Sequence, residues 1–284
     1  MNCQIKLNKK LIDLSSPVVM GIVNVTPDSF YKGSRFTYDS ILLKSVEKML
    51  EQGAMIIDVG GYSTRPGAEI VSIDEEIKRL SDGLEIILKK FPDTFISVDT
   101  FRAGVARKMV KDFNVAIIND ISGGTLDNLM FETVVDLQVA YVLMHTRGNP
   151  SNMQQLTQYE NVVSEVMQFL EKRLAQLRLL GASDIIVDPG FGFAKTIEQN
   201  YELLHKLSYF QQLNAPILAG LSRKSMLYKS LNISADEALN ATTAANMLAL
   251  MGGAAILRVH DVKEAMETIQ IFNLYNLKSN SETN

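Results

Sequence analysis

The sequence predicts an α/β protein of the (β/α)8 TIM-barrel class, preceded by a short N-terminal β-hairpin. Three observations predict it. Eight short apolar runs recur along the chain. Their polar ends lie roughly 33 residues apart, and a strand–helix unit needs about 30 or more. Most of the runs also end in a residue type that binds ligands. Eight such units in about 250 residues is the arithmetic of a barrel whose active face gathers the C-terminal ends of its strands.

The runs, in order, are Val18–Val23 ending at Asn24, Met55–Ile57 at Asp58, Phe95–Val98 at Asp99 and Val115–Ile118 at Asn119. Val139–Met144 ends at His145 and Ile185–Val187 at Asp188. Ile217–Leu221 runs into Ser222, Arg223 and Lys224, and Ala254–Leu257 into Arg258 and His260. The fourth and fifth runs are almost continuously apolar, as parallel strands buried on both faces should be. Helical periodicity follows most strands, over 39–52, 73–90, 102–112, 128–137, 158–180, 197–212, 235–251 and 261–275. Ile77, Leu80, Leu84, Ile87 and Leu88 recur at the three- and four-residue spacing of one helix face. Gly53 and Gly181 stand just beyond helix ends, where a left-handed residue closes the last turn. Residues 3–14 alternate around Asn8-Lys9, which predicts a hairpin placed to close the bottom of the barrel. The expected organisation is one domain over residues 1–284, with the hairpin at 1–15, the barrel at 16–275 and a tail at 276–284.

Composition bounds the function. Of 284 residues, 46% are hydrophobic and 21% charged, close to the globular norm. A net charge of −4 argues against a general nucleic-acid surface. It leaves room for an anionic substrate held by a local cluster of Arg, Lys and His. Cys3 is the only cysteine, so neither an intramolecular disulfide nor a cysteine-rich zinc site is available. No signal-peptide core and no run of the roughly 18 apolar residues of a membrane span is present, so the expectation is a cytoplasmic protein with no membrane partner.

Two loops stand out. Residues 24–37 read NVTPDSFYKGSRFT and residues 58–69 read DVGGYSTRPGAE. Both exceed the usual length of about 2–6 residues for such connections, and long loops at the active face are often lids.

NVTPDSF at 24–30, DVGGYSTRPGA at 58–68, SVDTFR at 97–102 and INDISGG at 118–124 resemble the dihydropteroate synthase family. So do MHTRG at 144–148, VDPGFGFAKT at 187–196, GLSRKS at 220–225 and RVHDV at 258–262. The blocks fall in family order over nearly the whole chain. The resemblance implies a transferase of folate synthesis. It would join p-aminobenzoate to 6-hydroxymethyl-7,8-dihydropterin diphosphate, giving 7,8-dihydropteroate and pyrophosphate with Mg²⁺ assistance. It also implies a homodimer and a target for sulfonamides that mimic p-aminobenzoate.

Carried over residue by residue, the resemblance assigns the pterin to Asp99, Asn119, Asp188 and Lys224. A carboxylate such as Asp188 accepts two adjacent ring donors at once, and charge-assisted bonds are the strong ones. Asn119 both donates and accepts. The diphosphate falls to Asn24, Thr64, Arg65, Arg258 and His260, because cations there answer charge that grows on the leaving group. Asn24 is also the metal-linked residue; Mg²⁺ keeps several waters and uses substrate phosphates, so one amide suffices. Phe30, Arg65, Pro66, Phe193 and Ser225 would form the p-aminobenzoate pocket, an apolar slot with a polar anchor. Asp99, Lys224, Arg258 and His260 would carry the chemistry, and His145 reads as a wall residue. No catalytic triad is needed, since the nucleophile is a neutral aromatic amine.

Three positions depart from the family pattern. Lys32 replaces a loop acid, Tyr62 stands where Glu is frequent, and Ala194 where Gly often precedes the lysine. The related pterin-binding domains of methyltransferases need neither the diphosphate residues nor the STRP loop, and a non-catalytic pterin module would not need the leaving-group cations. A metal-dependent hydrolase is disfavoured, because His145, His205 and His260 include no pair with ligand spacing.

Overall fold

The computed structural model describes residues 4–25, 35–62 and 71–279. The chain opens with a hairpin, β1 (Gln4–Leu7) and β2 (Lys10–Asp13). Asn8 and Lys9 both take positive φ, at 46° and 67°. That is the two-residue turn whose twist matches its flanking strands.

Eight parallel strands follow and close a barrel: β3 (Val18–Asn24), β4 (Ile56–Gly60), β5 (Phe95–Asp99), β6 (Ile117–Asp120), β7 (Ala140–Met144), β8 (Ile185–Asp188), β9 (Ile217–Ala219) and β10 (Ala254–Val259). The last strand pairs with the first, Arg258 opposite Met20, so the barrel has no free edge. The helices between strands are α1 (Arg35–Glu51), α2 (Ile73–Lys90), α3 (Ala103–Phe113), α4 (Met130–Leu137), α5 (Val162–Leu180), α6 (Ile197–His205), α7 (Ser225–Tyr228), α8 (Leu239–Met251) and α9 (Val262–Ser279).

Local chemistry sets the helix ends. Ser72 accepts from the Glu75 N–H to start α2, whose first turn carries Asp74, Glu75 and Glu76 and whose last turn carries Lys89 and Lys90. That order complements the helix dipole. Thr196 and Gln199 form a reciprocal capping box on α6. Asn161 caps the start of α5, and Gly181 closes it in the left-handed conformation.

Strand alternation sorts the residues into two cores. Val19, Val23, Ile57, Val59, Ile96, Val98, Ile118, Tyr141 and Leu143 face outward, under the helices. Met20, Ile56, Ile117, Val142, Ile186, Leu218 and Ile256 face the barrel axis and form its lower interior. The hairpin seals that interior from below. Ile5, Leu7 and Leu14 join the same cluster, and Asp184 accepts from the Lys6 N–H at 2.7 Å. Interior positions above this apolar floor carry Asp58, Ser97, Asp99, Asn119 and Asp188 beside Ile22 and Met144, and every strand-end residue singled out in the sequence for the pterin lies among them or in the loop just beyond.

Several boundaries differ from the periodicity. β4 continues through Val59 and Gly60, because the parallel ladder pairs Val23 with Val59 and Asn24 with Gly60. Asp58 is therefore a mid-strand residue rather than a strand end. The helix expected at 197–212 stops at His205, and a 3-10 segment, Leu207–Leu213, completes the span. The short helix α7 had no periodic signature. The last helix runs past residue 275 to Ser279, into the expected tail.

Candidate active site

The register places the site in two layers. Asp58 pairs laterally with Ser97, and Ser97 with Ile117. One interior layer higher, Gly60 pairs with Asp99, and Asp99 with Asn119. Residues two apart on a strand share a face, so Asp58, Gly60, Ser97, Asp99 and Asn119 all point to the axis. Asp188 enters from β8, Arg258 from β10, and Lys224 from the loop after β9.

An ion network binds these residues. Arg258 Nε donates to Asp58 Oδ2 at 2.6 Å, and its Nη2 donates to Asp99 Oδ2 at 2.9 Å. Asn119 Nδ2 donates to the same Asp58 Oδ2 at 3.1 Å. Burial pushes the Asp99 carboxyl up to about 7, with Arg258 opposing and Asp58 adding to the rise. Burial disfavours the charge on Arg258, but Asp58 and Asp99 outweigh it and hold the guanidinium above its ordinary range. The protein alone thus commits Arg258 to carboxylates inside the barrel.

Asp188 is also buried and accepts from the Gly190 N–H at 2.7 Å. Burial raises its pKa, while Lys224 and that N–H pull it back. Lys224 donates to the Phe191 carbonyl and lies 4.8 Å from the centre of the Phe193 ring. Burial lowers its ammonium to about 8, opposed by Asp188. Phe193 and Lys224 are therefore neighbours, and Ser225 opens α7 immediately beyond. His260 stands exposed at the rim; its backbone N–H donates to Ser222 Oγ, which lies 3.0 Å from Nδ1. Asn24 ends β3 with its Oδ1 beside Gly60, where an added Cβ would come within 3.3 Å. A side chain at position 60 would crowd that amide oxygen. Phe30, Thr64, Arg65 and Pro66, with Lys32, lie outside the described residues.

The loop after β8 is locked by a residue that sequence reasoning passed over. Lys195, buried, donates to the carbonyls of Gly190 and Phe193, both at 2.9 Å, and meets His145 Nδ1 at 3.0 Å. Burial, with Lys224 and Arg147 nearby, lowers its pKa well below the usual value despite Asp188. His145 is buried too, with its pKa lowered by burial and by Lys195. Its ring packs edge-on against Phe169 at 5.0 Å. Gly190 is obligatory here, because a Cβ would fall 2.0 Å from the His145 carbonyl oxygen.

Other residues missed by the motif reading support the loops. Glu76 accepts from Thr100 and from Arg102, each at 2.6 Å. Arg102 also donates to the Val71 carbonyl and lies over Tyr62, which packs edge-on against Phe101. Tyr62 thus replaces an acid with an aromatic contact at the base of the second loop. Arg223, inside the GLSRKS block, is structural: it forks onto both Asp261 oxygens at 2.8 and 2.9 Å. Asp58 was legible as a strand-run end, but only the register shows what it touches.

A closed eight-stranded parallel barrel with acceptors and cations gathered at its C-terminal mouth is the architecture of a barrel enzyme. The pterin binding enzyme family matches residues 20–260. The chain is 42% identical over 264 residues to the dihydropteroate synthase of Escherichia coli K12, covering 92% of each chain. It is 43% identical to that of Haemophilus influenzae, covering 93% of this chain and 96% of the relative. Among solved structures, the Yersinia pestis dihydropteroate synthase with a sulfonamide drug complex superposes with a TM-score of 0.89 at 36% identity, over 96% of this chain and 99% of that one. The Xanthomonas albilineans dihydropteroate synthase with 4-aminobenzoic acid gives 0.89 at 33% identity, over 97% and 99%. The chain belongs to the pterin-binding enzymes. Within them, its family is that of the dihydropteroate synthases.

The departure at Ala194 now has a physical account. Its φ is +50° and it is fully buried, in a conformation that favours glycine. A left-handed L-residue costs about 1–2 kcal/mol, and glycine's extra chain entropy returns roughly 0.5–1 of that. Ala194→Gly is therefore expected to stabilise the protein by about 0.5–1 kcal/mol. Urea unfolding measures it; a lowered midpoint would show that Ala194 is unstrained.

Proposed function

We propose that this chain is a transferase that condenses p-aminobenzoate with 6-hydroxymethyl-7,8-dihydropterin diphosphate, forming 7,8-dihydropteroate and pyrophosphate. The observation that carries the reading is the convergence of Asp99, Asn119 and Asp188 with Lys224 at the barrel mouth. The pterin's amino-pyrimidinone edge offers adjacent N–H donors beside a carbonyl. Asp188 accepts from two of those donors, Asn119 and Asp99 take further ring positions, and the Lys224 ammonium donates to the carbonyl side.

The reaction breaks the bond between the pterin's methylene carbon and the diphosphate oxygen, which leaves with the electron pair. Positive charge spreads into the ring, where Asp99 and Asp188 offset it. The amine lone pair of p-aminobenzoate then forms the C–N bond, and the nitrogen releases a proton to solvent. Arg258 and His260, with Thr64 and Arg65, answer the charge on the departing diphosphate. Arg258 has to share its guanidinium between that anion and its two carboxylates. Phe193 and Ser225, with Phe30, Arg65 and Pro66, form the slot for the aromatic acid, and sulfonamides would enter the same slot.

No group of three or more His, Cys, Asp or Glu that could hold a metal occurs among the described residues. The donor at Asn24, one amide oxygen that a side chain at Gly60 would crowd, fits an ion that draws its other ligands from water and the diphosphate, as Mg²⁺ does. When bound there, Mg²⁺ would supply charge neutralisation of the leaving group. A homodimer is supported by the last two helices. Leu248 and Met251 on α8, and Ile271, Leu274, Tyr275 and Leu277 on α9, are all exposed on helices packed side by side. Contiguous exposed apolar surface marks an association site. Among the described residues no helix is long and apolar enough to cross a membrane, which is compatible with a cytoplasmic enzyme.

The direct test is pyrophosphate release from the pterin diphosphate with Mg²⁺, with and without p-aminobenzoate; release that ignores the amine contradicts the reading. Asp188→Ala should weaken a pterin analogue at least about tenfold by calorimetry, since bonds to charged groups contribute about 1.5–3 kcal/mol. Undiminished affinity would place the pterin elsewhere. The pH profile follows from two groups. Asp99, raised to about 7, must ionise to offset ring charge, so kcat/KM should rise through that pH. Lys224, lowered to about 8, must keep its proton to donate, so kcat/KM should fall above it. A profile flat from 6 to 9 would remove both from these roles. Sedimentation velocity should give a dimer of the 31.6 kDa chain, shifted toward monomer by Leu274→Glu; a monomeric native protein ends that part of the proposal.

A further inference from the structure

Asp58 is a buried carboxylate that the substrate reading leaves without a task. It is fully buried, sits mid-strand, and lies one interior layer below Asp99 and Asn119. Its Oδ2 takes both Arg258 Nε and Asn119 Nδ2. Its Oδ1, like the Oγ of its register neighbour Ser97, has no hydrogen-bond partner among the described residues. Ile56 lies beneath it on the same strand face, and Ile117 stands in the same row beyond Ser97. Through Oδ2, Asp58 is thus placed to act on Asn119 and Arg258.

A primary amide has one acceptor end and one donor end, and a carboxylate can only accept. Asn119 must therefore turn its nitrogen down toward Asp58. Its oxygen is left on the upper side, in the layer it shares with Asp99. Reversing the amide would set Oδ1 against a carboxylate oxygen in a dry interior and strand both, and an unsatisfied buried polar group is costly. Arg258 strengthens the constraint, because its Nε–H fixes the same Oδ2 as an acceptor.

We infer that Asp58 is a positioning residue that holds Asn119 with its carbonyl toward the substrate, and so makes the site select a 2-amino ring over a 2-oxo ring. The inference rests on the pterin reading above. With Asn119 so turned, Asn119 Oδ1 and the Asp188 carboxylate present acceptors to the ring edge. A 2-amino group answers them with N–H donors. A 2-oxo group meets them with a lone pair, and a site built to hydrogen-bond one group rejects an analogue that leaves its polar groups unpaired.

Two substitutions separate this role from a merely structural one. Asp58→Ala removes the acceptor and frees Asn119 to reverse. Asp58→Asn keeps an oxygen at the Oδ2 position, demanded by Arg258 Nε, and puts its own NH2 at the Oδ1 position, away from Asn119 and Arg258. Calorimetric titration of 6-hydroxymethylpterin and 6-hydroxymethyllumazine into the native chain and both variants gives the amino-to-oxo preference of each. The expected result is a strong preference in the native chain, retained by Asp58→Asn and reduced roughly tenfold by Asp58→Ala, about one hydrogen bond's worth. An unchanged preference in Asp58→Ala, or equal losses in both variants, overturns the inference while the pterin site stands. A native chain that binds both rings alike overturns it as well. A native chain that binds neither ring sinks the pterin reading and the inference together. If Asp58→Ala does not fold, the native chain labelled with 15N and 13C carries the test. A scalar coupling between Asn119 Nδ2 and Asp58 Cγ across the hydrogen bond supports the inference, and a coupling from Nδ2 to any other acceptor overturns it.

Discussion

The barrel mouth is organised by one guanidinium shared between two buried carboxylates. Arg258 reaches Asp58 and Asp99 with separate nitrogens, and each carboxylate belongs to a different strand from the arginine. Removing such charges from water costs several kcal/mol per ion, which only close, well-aligned partners offset. Burial raises the Asp99 pKa, Arg258 opposes that rise, and the neighbouring Asp58 adds to it. The arrangement spends stability to keep a charge-responsive group where positive charge would develop on a ring. It also ties β4, β5 and β10 together at the level where the strands end, and through Asn119 it reaches β6.

The loops above this network are held by polar contacts of a different kind. Lys195 gathers two carbonyls of its own loop and the imidazole at the end of β7, so the turn carrying Phe193 is pinned at both ends. Arg223 does the same across the mouth, joining the loop after β9 to Asp261 after β10 and to the carbonyls of Ala235 and Asp236. Glu76 and Arg102 secure the base of the second loop from behind Asp99. Each of these is an ionisable residue engaged with backbone or partner. Their work is orientation, and a buried polar network satisfied in this way specifies one geometry.

Much of this was legible in the sequence. The eight strands, the hairpin turn at Asn8-Lys9 and the placement of Asn119, Asp188 and Lys224 near strand ends follow from apolar run, turn chemistry and spacing. The alternation of inward and outward residues follows too, because successive side chains on a strand point to opposite faces. Less legible were segments whose conformation depends on neighbours. The extension of β4 through Gly60 needed the ladder with Asn24. The break at Lys206 and the short helix α7 leave no mark in the periodicity.

The sequence by itself determined the barrel, its polar upper interior, and which residue types stand at its mouth, since burial pattern and strand spacing are local properties of the chain. Only the tertiary structure decided who meets whom. That Asp58 lies a layer below Asn119 and beside Arg258, 200 residues further on, is a matter of register and barrel closure. That Lys195 and Arg223 serve the fold, while Lys224 is drawn to Asp188, is equally invisible in motifs where all three read as cations. A hydrogen bond needs a distance and a direction, and neither is encoded in the spacing of residues along the chain.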